Sequence, residues 1–315
     1  MNEKYFKNKN AVITGAASGI GRTLALELAK MGTNLLISDI NMERLESVKE
    51  EVEAYKVKVV SKKCDVTKKS DVKSLRDITL SNMQDVHFLF SNAGIAAGGH
   101  LESFSNEIWR NVINVNIWGM INLVNAFIPK MVEQGFGHVI VTSSIAGIIG
   151  AGGLIPYSTS KFANFGFCEA LYGEFKDKGI DVSIICPFPI KTNLIETAKM
   201  SFSPDLLNKY SQEQLAKGFE FGKEQYWNEF TKGGYELDRA IHIYLKKIAK
   251  KKLYICERKK TRFIFFIKGL WPNYYKKLVR KVSAEHINVL DESTQKAIDL
   301  IDNMLENSRC FRKDD

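Results

Sequence analysis

The sequence predicts an α/β fold built on a doubly wound parallel sheet with helices on both faces. Three observations carry that expectation. Short apolar runs alternate with helical stretches along the first 190 or so residues; a glycine-rich turn joins the first run to the first helix; and several runs are apolar on both faces, as strands covered from two sides must be. Repeated βα units of this length imply right-handed crossovers and ligand sites at the carboxyl ends of the strands.

The elements follow in order. AVIT (11–14) is a first strand meeting Gly15, and a helix continues through Leu24, Leu28 and Met31. LLISD (35–39), a charged helix over about 42–54, KVVSKKCD (58–65), a helix through Val72 and Leu75, and HFLFSNAG (87–94) come next. A long helix around 106–132, HVIVTSS (138–144), a helix over about 157–178 and DVSIICP (181–187) continue the alternation. After Thr192 the rhythm breaks. Residues 193–235 contain no convincing strand, yet they hold Met200, Phe202, Phe219, Phe221, Tyr226 and Trp227. That density of large apolar groups predicts a helical lid or substrate loop rather than a linker. A helix over 235–250 and a last strand LYICE (253–257) complete the sheet. The predicted organisation is one catalytic domain over residues 1–258, with the lid at 193–235 inside it. A basic and aromatic extension over 259–315 then packs on that domain or lies on a membrane. Its final helix, at about 286–307 with Leu290, Ala297 and Ile301 on one stripe, reads as a packing or oligomer helix.

Composition narrows the class. At 315 residues, 45% hydrophobic and 26% charged, the chain can bury a core without staples, which excludes a collagenous, low-complexity or wholly disordered protein. Five scattered cysteines, never spaced as CxxC, imply free thiols in a reducing compartment, so a cytoplasmic location is expected. The five histidines show no ligand spacing, and no metal is expected. The polar N-terminus resembles no signal peptide, and without about 18 uninterrupted apolar residues no spanning helix is expected.

The formal charge of +9 is unevenly placed. Between residues 246 and 281 fourteen Lys/Arg face one acid, Glu257, so this collar carries +13 and the remainder of the chain −4. In RFIFFIKGLWPNYYKKLVRK (262–281) aromatic and aliphatic groups interleave with the cations. A segment of that kind, too short to span, suits the surface of an anionic bilayer. Packing on the lid or a second subunit, with solvated lysines, is the alternative; a nucleic-acid partner is not expected, because no binding motif accompanies the charge.

Chemistry concentrates before residue 193. In TGAASGIG (14–21) Gly15 can adopt a turn conformation closed to other residues, while Gly19 and Gly21, with Ser18 and Ile20 between and beside them, let backbone approach a pyrophosphate at a helix N-terminus. Asp39 ends the second strand 18 residues after Gly21, where a carboxylate accepts hydrogen bonds from adenosine ribose hydroxyls and repels a 2′-phosphate. Neither Ser18 nor Ile40 is a cation, so NAD is expected in preference to NADP. Tyr157 and Lys161 are four apart at the start of a helix and share a face, placing an ammonium where it favours a phenolate. Ser144, at a strand end, can hydrogen-bond a substrate oxygen on which charge develops. An SS pair 13 residues ahead of YxxxK, behind a dinucleotide turn, is a far more specific pattern than YxxxK alone.

With TGxxxGIG (14–21), NAG (92–94) and YxxxK (157–161), the chain resembles the short-chain dehydrogenases/reductases over residues 9–192. The resemblance implies a Rossmann-type fold with a Ser144–Tyr157–Lys161 centre and, from NVNIWG (114–119), Asn116 holding a proton-relay water. It also implies cofactor contacts at Asp65 and Val66 in CDVT, at Asn92, Ala93 and Gly94, at Tyr157 and Lys161, and at Pro187, Ile190 and Thr192 in PFPIKT. Phe188 stands where that family usually carries Gly. The implied reaction is hydride transfer between nicotinamide and a secondary alcohol or ketone. The apolar lid points to a lipophilic substrate of steroid, retinoid or acyl-chain type, and the family to a homodimer or homotetramer. A 3-oxoacyl or polyol reductase with the same centre is an alternative, and a dinucleotide-sensing regulator a further one, although sensing needs no acid/base set.

Overall fold

The computed structural model describes residues 3–190, 198–201, 204–232 and 236–310. Seven parallel strands run in the order β3-β2-β1-β4-β6-β7-β9. They are β1 (Asn10–Thr14), β2 (Asn34–Asp39), β3 (Val59–Lys63), β4 (Phe88–Ser91), β6 (Gly137–Thr142), β7 (Ile180–Ile185) and the short β9 (Tyr254–Ile255). The chain moves outward from β1 in one direction through β2 and β3, then returns to β4 on the other side of β1. That reversal opens a crevice at the carboxyl ends of β1 and β4, the expected ligand position in a doubly wound sheet.

Alternate residues of one strand feed two cores. Ala11 and Ile13 point to the face covered by α1 (Gly19–Lys30), α2 (Met42–Glu53) and a helix over Leu237–Ile248, whereas Val12 points to the opposite face. All three are fully buried, which is why β1 reads as a continuous apolar run rather than an alternating one. The opposite face is covered by α3 (Lys69–Asn82), by α5 (Gly119–Gln134), into which α4 (Asn106–Ile113) runs through a π-turn (Asn114–Trp118), and by α6 (Ile155–Phe175), while α4 itself packs beside Ala97 and Phe104. Side-chain caps fix two of these starts: Asn41 accepts from the Arg44 N–H, and Ser105 from the Ile108 N–H. Four cysteines (Cys64, Cys168, Cys186, Cys256) are buried free thiols.

The helix over Asn106–Gln134 is, by length and composition, apolar enough to cross a membrane, but Leu123, Phe127 and Met131 turn its apolar stripe against the sheet. The structure corrects three expectations. Residues 193–235 do contain a strand, β8 (Lys199–Met200), which pairs in parallel with β5 (Ala97–Gly98). Two-residue strands have no periodicity to read. The collar is not one segment: α10 (Lys259–Leu270) ends at Trp271, and Pro272 opens a new helix, α11 (Pro272–Cys310). Proline favours the first turn of a helix and cannot sit inside α10, so the chain bends there. Finally, the helix expected at 286–307 is the second half of this 39-residue α11.

Two lid helices, α7 (Pro204–Lys209) and α8 (Gln212–Phe230), follow β8, and α9 (Leu237–Ile248) leads back to β9. The α8–α11 contact is close because α8 offers glycine. A Cβ on Gly218 would stand 2.6 Å from the Ile301 Cδ1 atom, and one on Gly222 3.1 Å from the Ser293 carbonyl oxygen. At its other end α11 crosses the 148–153 segment: the Tyr275 hydroxyl donates to the Ile148 carbonyl (2.8 Å) and the Ser283 hydroxyl accepts from the Gly152 N–H (3.0 Å).

Candidate active site

The glycine turn is built from both sides. Gly15 has φ +66°, and a Cβ there would stand 2.8 Å from the Ala93 Cα, so turn geometry and close packing both demand glycine. Gly21 abuts the Gly15 carbonyl and packs helix against turn; it lies behind the surface that Gly15, Ser18, Gly19 and Ile20 present. Asn92 staples the strand ends. Its amide nitrogen donates to the Thr14 (3.1 Å) and Gly15 (3.2 Å) carbonyls, and its oxygen accepts from the Thr142 hydroxyl (3.0 Å), tying β1, β4 and β6 together. The exposed Ile40 follows Asp39, whose carboxylate accepts from the Ala17 N–H (3.1 Å) and the Asn41 N–H (2.9 Å). Asp65 accepts from the Thr67 N–H and hydroxyl. Val66 is held from behind by Asn122, which donates to its carbonyl, and by Gly119, where a Cβ would stand 2.6 Å from a Val66 methyl.

The triad expected from sequence does converge. Ser144 ends the segment after β6, Tyr157 and Lys161 project from the first turns of α6, and all three line one cavity. The Lys161 ammonium donates to the Thr142 carbonyl (3.0 Å) and lies 5.5 Å from the centre of the Tyr157 ring. The Ser144 hydroxyl accepts from the Ala146 N–H (3.1 Å) and also bonds the Tyr157 phenol. Burial dominates both titratable groups: it pushes the phenol up to about 12, opposed by the Ser144 hydrogen bond, and brings the ammonium down to about 8. This corrects the sequence expectation of a phenol already lowered by its lysine. In a water-poor pocket the cost of charging each group outweighs their mutual help.

Asn116 sits inside the π-turn, a helix irregularity that recurs at functional positions. It is 2% exposed and behind the cavity wall rather than on it. Its oxygen accepts from the Ile95 N–H (2.9 Å), and its nitrogen donates to the Ile95 carbonyl (2.9 Å) and the Ser160 hydroxyl (2.9 Å). Gly94 is the wedge between Asn116 and Lys161: a Cβ there would be 3.2 Å from the Asn116 oxygen and 3.4 Å from the ammonium.

A continuous cavity of about 760 Å3 runs from the glycine turn past Asp39, Asp65, Asn92, Ala93 and Gly94 to Ser144, Tyr157 and Lys161, and on to Pro187 and Ile190. An elongated channel with acidic groups at one end, a glycine turn in the middle and a buried phenol–ammonium pair beyond fits a dinucleotide. Thr192 lies outside the described residues.

Sequence reasoning missed three contributors. Arg44, in the first turn of α2, lines the cavity beside Asp39, Ile40 and Asn41. Glu257, after β9, accepts from the Phe188 N–H (2.5 Å) and the Tyr244 hydroxyl (2.9 Å), and the Arg258 guanidinium lies 4.1 Å above the Phe188 ring. That clamp explains how a phenylalanine is tolerated where glycine was expected, and a lone acid in a basic run was its only signal. Third, the far end of the cavity is closed by Tyr226 and Glu229 of α8 together with Val282, His286 and Val289 of α11. The Tyr226 hydroxyl and the His286 ring are 3.3 Å apart, and burial lowers the imidazole to about 4, so it is neutral at physiological pH.

Fold and site together define a dinucleotide-dependent oxidoreductase. The profile of the short chain dehydrogenases matches residues 9–201. Epidermal retinol dehydrogenase 2 of Homo sapiens is 38% identical over 213 residues, covering 65% of this chain and 69% of that protein. Among solved structures, a short chain dehydrogenase/reductase from Burkholderia phymatum in complex with NAD gives a TM-score of 0.73 at 28% identity, over 84% of this chain and 93% of the other. A metagenomic short-chain oxidoreductase in complex with NADP gives 0.56 at 28% identity, over 58% and 83%. The chain belongs to the short-chain dehydrogenase family, whose members bind NAD or NADP.

Proposed function

We propose that this oxidoreductase interconverts a lipophilic alcohol and its carbonyl compound with NAD as the preferred hydride carrier. The observation that carries the substrate class is the cavity wall beyond Tyr157: Ile95, Ile149, Leu154, Ile264 and Val289 give it an apolar surface suited to a hydrocarbon body. The retinol dehydrogenase likeness supports the same class. A polyol would leave its hydroxyls facing this wall unpaired, which weighs against the sugar-reductase alternative.

Bound NAD would supply the hydride-accepting carbon. The chain does the rest. In oxidation the Tyr157 oxygen removes the substrate hydroxyl proton, and in reduction the protonated phenol returns it to the carbonyl oxygen. Ser144 hydrogen-bonds that oxygen as charge develops. Lys161, fixed by the Thr142 carbonyl, would hold the nicotinamide ribose and support the phenolate. Asn116, locked to Ile95 and Ser160 behind the cavity wall, positions the segment after β4 against which the lysine lies. Asp39 holds the adenosine ribose hydroxyls, and its negative charge disfavours a 2′-phosphate. Turnover of NADH, run beside NADPH, over a panel of aliphatic, steroid-like and polyhydroxylated ketones is the test. Equal rates on polyhydroxylated and lipophilic ketones would overturn the substrate class, and faster NADPH turnover the cofactor.

A further inference from the structure

The elbow between α10 and α11 is left over from this account. Eleven large hydrophobic residues are exposed among the described residues, and five of them, Phe263, Phe266, Leu270, Trp271 and Tyr274, fall within these twelve positions. They are half or more exposed, from 52% to 59%, and form one surface: Phe263 stacks on Phe266 (6.3 Å between centres) and Phe266 meets Trp271 edge-on (5.8 Å). Monomeric proteins seldom leave a contiguous aromatic patch of this kind in water.

The chemistry around the patch selects its occupant. Lys276, Lys277, Arg280 and Lys281 are exposed along the first turns of α11, and no acid occurs between Glu257 and Glu285. A protein partner with an apolar face is not required to be acidic throughout, whereas an anionic bilayer is acidic everywhere and apolar just below its headgroups. Exposed Trp and Tyr suit that boundary, where one end of the ring is dry and the other wet. The opposite side of the same helices faces inward: Ile264 of α10 and Val282 of α11 line the cavity.

We propose that the elbow over residues 263–281 is a docking face for anionic membrane, inserting Phe263, Phe266, Leu270 and Trp271 among the acyl chains while the lysines meet headgroup phosphates. Docking sets the helices that wall the cavity against the lipid surface, so that a lipophilic ligand passes between membrane and cavity around α10 and α11. The docking itself is independent of the reaction assigned above and is tested without turnover.

The test is sedimentation of the full chain with vesicles of phosphatidylserine and phosphatidylcholine, beside vesicles of phosphatidylcholine alone. Binding is expected to the anionic vesicles and to weaken with salt. Lys276→Gln/Lys277→Gln should lower affinity by about 5-fold for each cation removed. Phe266→Ser/Trp271→Ser should lower it on the order of 100-fold. Because these residues are exposed and line no part of the cavity, thermal melting and NADH binding should match the parent protein. Equal binding by parent and variants, or no binding at all, overturns the proposal. So does sedimentation velocity without lipid in which the Phe266→Ser/Trp271→Ser variant converts a dimer to a monomer, which would give the patch to a second copy.

Discussion

The sheet body and the C-terminal arm solve opposite problems with the same kinds of residue. In the body, aromatic and aliphatic groups such as Phe88, Phe90 and Phe127 are fully buried, and polar residues such as Asn92, Asn116 and Thr142 spend their hydrogen bonds holding strand ends in place. In the arm, α11 buries Ala297 and Ile301 against α8 and Leu290 beside Gly153, while Phe266 of α10 and Trp271 and Tyr274 at the elbow stay exposed. The body is finished as a packed object, and the arm has one face packed and one face open. The difference separates chemistry from access: Ser144 stands just after β6 and Tyr157 and Lys161 on the first turns of α6, whereas the far end of the cavity is closed by side chains of α8 and α11.

Changes to each region should therefore break different measurements. Tyr157→Phe should lower kcat by roughly 10²–10⁴-fold, the range of a lost general acid/base, while NADH binding and thermal stability persist. The pH profile of the parent enzyme sharpens this. A phenol held near 12 is protonated at neutral pH, so alcohol oxidation, which needs the phenolate, should rise with pH below about 8, the value to which burial brings the Lys161 ammonium that supports it, and carbonyl reduction, which uses the phenol, should not rise. Initial rates in both directions from pH 6 up to that point check the sign; a falling oxidation limb there would contradict it. Next in size, Asp39→Ala/Ile40→Arg should shift the NADP/NAD ratio of kcat/KM by about 10-fold or more, since a hydrogen bond to a charged group contributes about 1.5–3 kcal/mol.

In the arm, Gly222→Leu drives a side chain toward the Ser293 backbone, which cannot rotate away. Over-packing of about 1–3 kcal/mol should loosen α8 from α11 and raise KM for bulky ketones by roughly 10-fold, with NADH affinity unchanged. A matching loss of NADH affinity would show that arm and body are not separable. The smallest effect is expected at their junction. Glu257→Gln keeps the shape but removes the charge that the Phe188 N–H donates to, so NADH affinity should fall about 5-fold at about 1 kcal/mol, with kcat nearly constant. Titration by NADH fluorescence separates the two quantities.

Most of the body could be read from the chain. The glycine turn, the buried two-faced strands and the YxxxK spacing are local patterns, each dictated by backbone geometry within a few residues. The glycines at 15 and 21, Asp39 at a strand end, and Tyr157 with Lys161 on one helical face all stand where spacing put them. What escaped were contacts between residues far apart. Glu257 reaches Phe188 across 69 positions, and Tyr226 meets His286 across 60. No periodicity encodes such pairs, and β5 and β8 are too short to have one.

The state of the Tyr157 phenol shows the same boundary. Four-residue spacing fixes that a lysine is near a tyrosine, but the sign of the pKa shift depends on how much water remains, and burial is a property of the assembled fold. The basic collar likewise was visible as composition alone. Which of its side chains turn inward to wall the cavity and which remain exposed followed only from the packing of α10 and α11 over the body, since a helix face has no inside until something covers it.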